Sequence, residues 1–334
     1  MKKLIWIIVI IVVVGLIWWA GSGNERESAI GEPIRIGVIA PLTGIIADYG
    51  EEMQRGVEAA QVEGVEFVYE DSQCDAKTTV SAYRKLTEID EIKFIIGPGC
   101  GAPQEVITPL LEEDQTIVVV PSAATQELYA RSGGNFYNLQ YALEDESKFI
   151  ADEMYDAGYE KVVLIGYQNN FSKIHEDTFI ANYQGEIVEH VSFPFDASDT
   201  LGELTKIKHK EFDAIFSTDI TFLFGNGMKR LGQLGIEVPV FSQYATELPA
   251  VRGLAEGIIY SFPDDVIEGE GAVYGLSKQA TELLSSIVLG CTGDYACVKE
   301  GLDQSGHFDE NGVSVRPLLL KTIKDGQAVP YVVE

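Results

Sequence analysis

The chain has 334 residues, enough for two cores of ordinary domain size. With 52 acidic against 24 basic residues its net charge is −28, and such a surface offers no basic stripe for nucleic acid or anionic lipid headgroups. Nucleic-acid binding is therefore excluded, and the charge points to solubility in an exposed or salty environment.

Lys2 and Lys3 precede an uncharged run, Leu4 to Ala20, of 17 residues. That exceeds the roughly 7–15 residues of a typical signal core. At about 1.5 Å per residue it almost crosses a bilayer core. Residues 1–23 read as a signal or anchor segment, and 24–33 as a polar linker. No cysteine follows, so there is no lipoprotein-type lipidation site, while Ala20 and Ser22 are small enough to precede a cleavage point. Cleavage and retention both stay open. Either way the remainder is exported, to the periplasm or the cell surface, tethered through residues 4–20 if the segment is kept.

Strand and helix signals then alternate. Ile34–Ile39, Val65–Tyr69, Phe94–Ile96 and Ile117–Val120 are short, β-branched and bounded by turn residues, as buried strands are. Between them, Met53, Val57 and Ala60 share one helical face, and Val80, Tyr83 and Leu86 another. Val106, Ile107, Leu110 and Leu111 make a third stripe, which Pro109 should kink. Phe136–Leu139 reads as an extended crossing segment. A helix follows over Glu144–Ala157. Strands are expected at Val162–Ile165, Ile187–Phe193, Ala214–Ser217 and Val238–Ser242. Helices are expected at Ser172–Tyr183 and Thr221–Leu234, the latter with Phe224, Met228 and Leu231 on one face. Another crossing is expected near Ile258–Phe262. Helices Gly271–Leu289 and Tyr295–Leu302 follow, with a hairpin turn at Asp309–Gly312. Strands Val315–Ile323 and Val329–Val333 close the chain. Strands separated by helices imply α/β units with parallel sheets covered on both faces.

Export makes an oxidising compartment, where an even cysteine count reads as disulfides. Cys291 and Cys297 are close enough to close a local loop, which leaves Cys74 for Cys100. Buried free thiols are the alternative; a zinc site lacks both a Cys-x-x-Cys pair and a nearby histidine.

The segment Ile34 to Gly50 runs from an apolar strand through a Pro/Gly loop into an amphipathic helix. Such a mouth exposes backbone N–H groups to a small anion. This run resembles the start of the type I periplasmic solute-binding proteins, and most closely the Leu/Ile/Val-binding group of ABC importers. The resemblance covers about residues 34–334. It implies two lobes, each a parallel sheet flanked by helices, joined by three crossovers. The lobes are then 34–142 with 264–315, and 143–263 with 316–334. The ligand lies in the cleft between them, and a hinge closes the lobes over it.

The resemblance also assigns site residues. Gly97-Pro98-Gly99-Cys100-Gly101-Ala102 matches the carboxylate cradle, with Cys100 at its edge. Gly101 stands where amino-acid binders carry a serine hydroxyl. In Pro121-Ser122-Ala123-Ala124-Thr125, the Ala123 carbonyl accepts from a ligand ammonium and the Thr125 hydroxyl holds a carboxylate oxygen; Thr125 also suits a helix cap. Tyr49 forms one cleft wall, and Phe171 faces it from the second lobe. The departure is at Tyr244, which aligns with the carboxylate that amino-acid binders place opposite the ammonium. A buried ammonium needs a charged partner or several good acceptors. Asp219 and Glu247 are the acids that could substitute. If neither reaches, amides, aromatic acids or other carboxylates become the better ligands.

Rival chemistry finds little support. The glycine loop nominally matches a dinucleotide fingerprint, but no acid follows at the next strand end, where Pro121 and Ser122 stand. His175, His190, His209 and His307 are isolated, and there is no nucleophile elbow. Asn170-Phe171-Ser172 matches a glycosylation sequon on three residues alone. The expectation is a monomeric, cofactor-free binding protein rather than an enzyme. It captures an amino acid, amide or small carboxylate for an ABC permease. A ligand-sensing module feeding a separate signalling partner is the alternative.

Overall fold

The computed structural model describes residues 32–44, 46–194, 200–219, 221–224, 226–266 and 271–332. The expected signal or anchor segment 1–23, and 24–31 of the linker, lie outside them. Among the described residues no helix is long and apolar enough to cross a membrane.

Five strands, β1 (Ile34–Ala40), β2 (Val65–Asp71), β3 (Phe94–Ile96), β4 (Ile117–Val120) and β5 (Phe136–Asn138), form one sheet in the order β2-β1-β3-β4-β5. All neighbours are parallel, with Val38 opposite Tyr69 on one side and Ile96 on the other. β3 and β4 are buried throughout, as sheets covered on both faces require. Helices α1 (Ala47–Ala59), α2 (Ala76–Arg84) and α3 (Gly101–Ile107) lie between these strands. Asp75 caps α2 by accepting from the Thr78 amide at 2.8 Å. α3 stops at Ile107 and tightens into a 3₁₀ turn at Thr108–Leu110, the interruption that Pro109 predicts.

The second sheet has the order β12-β11-β10-β9-β8-β6-β7. Its strands are β6 (Lys161–Tyr167), β7 (Glu186–Phe193), β8 (Ala214–Ser217), β9 (Val240–Ser242), β10 (Ile259–Pro263), β11 (Leu318–Lys324) and β12 (Gln327–Pro330). β6 to β10 are parallel, whereas β11 runs against β10 and β12 against β11. The sheet is thus mixed where parallel strands alone were expected. The cause is local. Asp325 and Gly326 both take positive φ, 52° and 70°, in a two-residue turn, which can join only antiparallel strands. That turn also sets β12 at Gln327–Pro330, earlier than the expected Val329–Val333; Val332 is exposed and Val333 lies outside the described residues.

The two expected crossing segments are also sheet strands. β5 is the edge of the first sheet and β10 an interior strand of the second, because pairing satisfies backbone groups that a buried crossing would leave bare. After β5 the chain enters α4 (Leu143–Asp156), and α5 (Asn170–Asn182) follows β6, capped by Asn169 accepting from the Ser172 amide at 2.7 Å. The expected single helix Thr221–Leu234 is broken into a turn at Thr221–Phe224 and α6 (Gly227–Leu234). Asn226 between them is left-handed, φ 59°, and a Cβ on Gly227 would lie 2.3 Å from the Phe222 ring. The Phe224 side chain lies outside the described residues.

α7 (Ala272–Gly290) and α8 (Tyr295–Asp303) bring the chain back to the first sheet. α7 crosses α1 so closely that a Cβ on Gly56 would meet the Tyr274 carbonyl oxygen at 2.4 Å. Ala280, Leu284, Val288, Val298 and Leu302 of these helices share one core with Ile36, Val38, Phe94, Ile96, Ile117 and Val119. Asp309 closes a turn by accepting from the Asn311 and Val313 amides at 2.8 and 3.0 Å, and Val313 bridges Asn138. No paired strands flank this turn, so it is not a hairpin. Both expected disulfides are present. Cys74–Cys100 ties the end of β2 to the loop before α3, and Cys291–Cys297 ties the end of α7 to the first turn of α8.

Candidate functional site

The loops of interest follow the C-terminal ends of parallel strands, where α/β folds hold their ligands. From the first sheet come Tyr49 in the first turn of α1, the 97–102 loop after β3 and the 121–125 loop after β4. From the second come 167–172 after β6, 217–219 after β8 and 242–247 after β9.

Tyr49 and Tyr244 meet directly, hydroxyl to hydroxyl at 3.3 Å, although 195 residues separate them. Both are buried, and burial pushes the Tyr49 phenol up to about 12 and that of Tyr244 well above its usual value. At cellular pH both are neutral and each can donate one hydrogen bond. Tyr141 packs edge-on against Tyr244 with ring centroids 6.2 Å apart. Ala123 belongs to the same apolar cluster, and Phe171 packs against that cluster, half-buried, with its ring 4.6 Å from His175.

Behind the first-sheet loops, Gln104 Nε2 donates to Ser122 Oγ at 2.9 Å and to the Pro98 carbonyl at 3.2 Å, locking the loops together. Cys100 precedes α3 without a side-chain cap. A Cβ on Gly101 would meet nothing within 4 Å, so the serine-like position is open space. Thr125 Oγ1 is buried with no hydrogen-bond partner. It lines a cavity of about 610 Å³ with Ala102, Glu144, Asn170 and Ile174, residues from both sides of the cleft.

The substitute acids are differently placed. Asp219 Oδ2 accepts from Asn169 Nδ2 at 2.9 Å. Glu247 is buried and accepts from Tyr260 Oη at 2.6 Å and Lys321 Nζ at 3.0 Å. Its charge is already matched.

Glu146, in the first turn of α4, is the acid that sequence reasoning missed. It is fully buried. Its Oε1 accepts from Tyr141 Oη at 2.9 Å, from the Tyr244 amide at 3.2 Å and from Ser261 Oγ. Its Oε2 has no hydrogen-bond partner and lies 3.7 Å from His175 Nε2. Burial pushes the carboxyl up to about 7, with the hydrogen bonds pulling back, and pushes the His175 imidazole down to about 3. His175 Nδ1 shares a 2.5 Å hydrogen bond with Ser147 Oγ. In sequence, Glu144, Asp145 and Glu146 look alike, as a run of acids complementing a helix N-terminus. Nothing in that run marks which of them turns inward.

Comparison with known proteins bears on the family and the fold. A periplasmic binding protein family model matches residues 33–266. The leucine-, isoleucine-, valine-, threonine- and alanine-binding protein of Pseudomonas aeruginosa is 32% identical over 124 residues, 33% of this chain and 32% of that protein. A Leu/Ile/Val-binding protein homologue of Brucella abortus is 25% identical over 71% of this chain and 65% of its own length. The matches thus span less than two thirds of these relatives. Among solved structures, LivJ of Streptococcus pneumoniae, in complex with isoleucine, superposes with a TM-score of 0.79 at 20% identity, covering 89% of this chain and 97% of that one. A solute-binding protein of Rhodopseudomonas palustris, in complex with benzoate, gives 0.78 at 18% identity, covering 89% and 95%. These structural likenesses are of fold. With the family model spanning well over half its length, the chain belongs to the periplasmic binding protein family, in the type I branch of the Leu/Ile/Val-binding proteins.

Proposed function

We propose that this protein is the extracytoplasmic capture component of an ABC importer, taking a small carboxylate-bearing solute, an amino acid in the first place, into the cleft between its two lobes. The lobes are taken as 34–142 with 264–315 and 143–263 with 316–334. The observation that carries the reading is the Tyr49–Tyr244 contact, which joins the strand-end loops of the two sheets. A solute touching both sides favours the closed arrangement, which a permease can then recognise. Tyr49, Ala123, Phe171 and Tyr244 form the walls, with Gly101 and Thr125 at the polar end beside Cys100. The unpartnered Thr125 hydroxyl supports a ligand acceptor there. Asp219 remains the candidate ammonium partner in the second lobe, since Glu247 is engaged by Lys321.

Thermal unfolding across amino acids, amides and small carboxylates tests this. A ligand at 100 times its Kd adds about 2.7 kcal/mol of stability. A panel without any shift would remove the reading. Gly101→Ser sharpens the test. The site has room for the side chain. One added hydroxyl donor contributes about 1 kcal/mol, so isothermal titration should give roughly five-fold tighter carboxylate binding. Unchanged affinity would place the carboxylate elsewhere.

A further inference from the structure

A second cavity, of about 380 Å³, lies where α1 and the start of α7 approach the segment after β9. Six of its lining side chains decide its character: Glu52, Arg55, Tyr244, Glu247, Arg252 and Tyr274. Two acids and two arginines are among them, but Lys321 outside the lining already takes Glu247, which leaves one cation over. Glu52 is paired with Arg55 at 2.5 Å, and the Arg55 guanidinium also stands 5.4 Å over the Tyr274 ring. Glu247 is paired with Lys321. Arg252 has no carboxylate partner among the described residues. Its Nη2 donates to the Glu247 carbonyl at 3.1 Å, and its Nε is buried with no partner. In a chain with 52 acids and 24 bases, a half-buried guanidinium left without an acid is unexpected. Withdrawing a charge from water without a counter-charge costs stability. The fork of N–H donors on arginine matches a carboxylate in shape and charge.

We propose that Arg252 gives the interlobe cleft an anion site of its own, which receives a carboxylate of the captured solute. This deepens the function proposed above and rests on it. None of the residues lining this cavity lines the one at Thr125. A solute using both has two acidic ends, so the class selected is dicarboxylates and acidic amino acids over monocarboxylates.

The test is isothermal titration of the full chain with glutarate, glutamate and leucine, on the parent protein and on Arg252→Gln. The proposal expects glutarate or glutamate to bind the parent, and Arg252→Gln to weaken that binding at least ten-fold. Leucine binding, where present, should stay within two-fold. Leucine binding without either diacid, or diacid binding indifferent to Arg252→Gln, overturns the proposal while leaving solute capture intact. Silence from all three ligands counts against capture itself. Arg252→Met then speaks to the site alone. Removing an uncompensated cation should hold or raise the melting temperature of the unliganded protein, and a clear fall would assign Arg252 to the fold instead.

Discussion

Gly97→Ala should cost the protein about 4 kcal/mol of stability, while Gly101→Ala in the same loop should cost under about 1 kcal/mol. Gly97 has φ +96°, and a Cβ there would stand 2.1 Å from the Ile39 carbonyl oxygen. Neither partner can yield. That oxygen belongs to β1, and the Gly97 amide is held by the Val119 carbonyl of β4 at 3.0 Å. Backbone strain of about 1–3 kcal/mol adds to overpacking of similar size. Gly101 faces open space at ordinary φ, so alanine meets nothing. Urea titration of the two variants reads the contrast as a large fall in midpoint for the first and almost none for the second. Equal losses would mean that the loop tolerates its glycines for another reason.

Glu146→Gln should change the pH dependence of stability rather than stability at every pH. In the unfolded chain a glutamate ionises near its ordinary value of 4.5, but burial holds the folded carboxyl protonated to about 7. Between those values the folded protein binds the extra proton, so stability falls as pH rises through that window and levels off above it. At about 1.36 kcal/mol per pH unit the fall is about 3 kcal/mol. Glutamine cannot ionise, and its carbonyl can still accept from Tyr244, Tyr141 and Ser261. The variant should therefore gain about 3 kcal/mol on the parent between pH 4 and pH 8. His175 works in the other direction. Its folded pKa is lowered to about 3, so its contribution is complete above 6.5 and is lost as pH falls toward 3. Because His175 Nε2 lies 3.7 Å from Glu146 Oε2 the two titrations are coupled, so the difference is read free of His175 above pH 6.5, where its contribution is complete in both proteins. Denaturation of both at several pH values reads the effect. A flat difference would mean that Glu146 is already ionised in the fold.

Much of the architecture was legible because buried parallel strands announce themselves as short β-branched runs. Ile117–Val120 was placed to the residue, and Phe94–Ile96 likewise. What stayed hidden depended on pairing partners far away. Phe136–Asn138 and Ile259–Pro263 look like any extended segment until β4 and β9 stand beside them. The antiparallel pairing of β12 with β11 followed from Asp325-Gly326, a turn signal visible in the sequence but outweighed there by the α/β pattern. Within the site, Tyr49 and Tyr244 could be named only through the family resemblance, which aligns one with a cleft wall and the other with the missing carboxylate. Glu146 and Arg252 could not. Their significance lies in which neighbours are already spoken for, as Lys321 speaks for Glu247, and such pairings run between residues that are distant in sequence.

The close crossing of α1 and α7 at Gly56 bears on when the protein can fold. The core of the first sheet is closed by side chains from residues 272–303, so strands β1 to β5 emerge during synthesis with one face uncovered. They cannot complete that core until most of the chain has been made, and contacts of such sequence separation form slowly. During synthesis the N-terminal half therefore lacks the side chains that complete its own core until residues 272–303 have followed it.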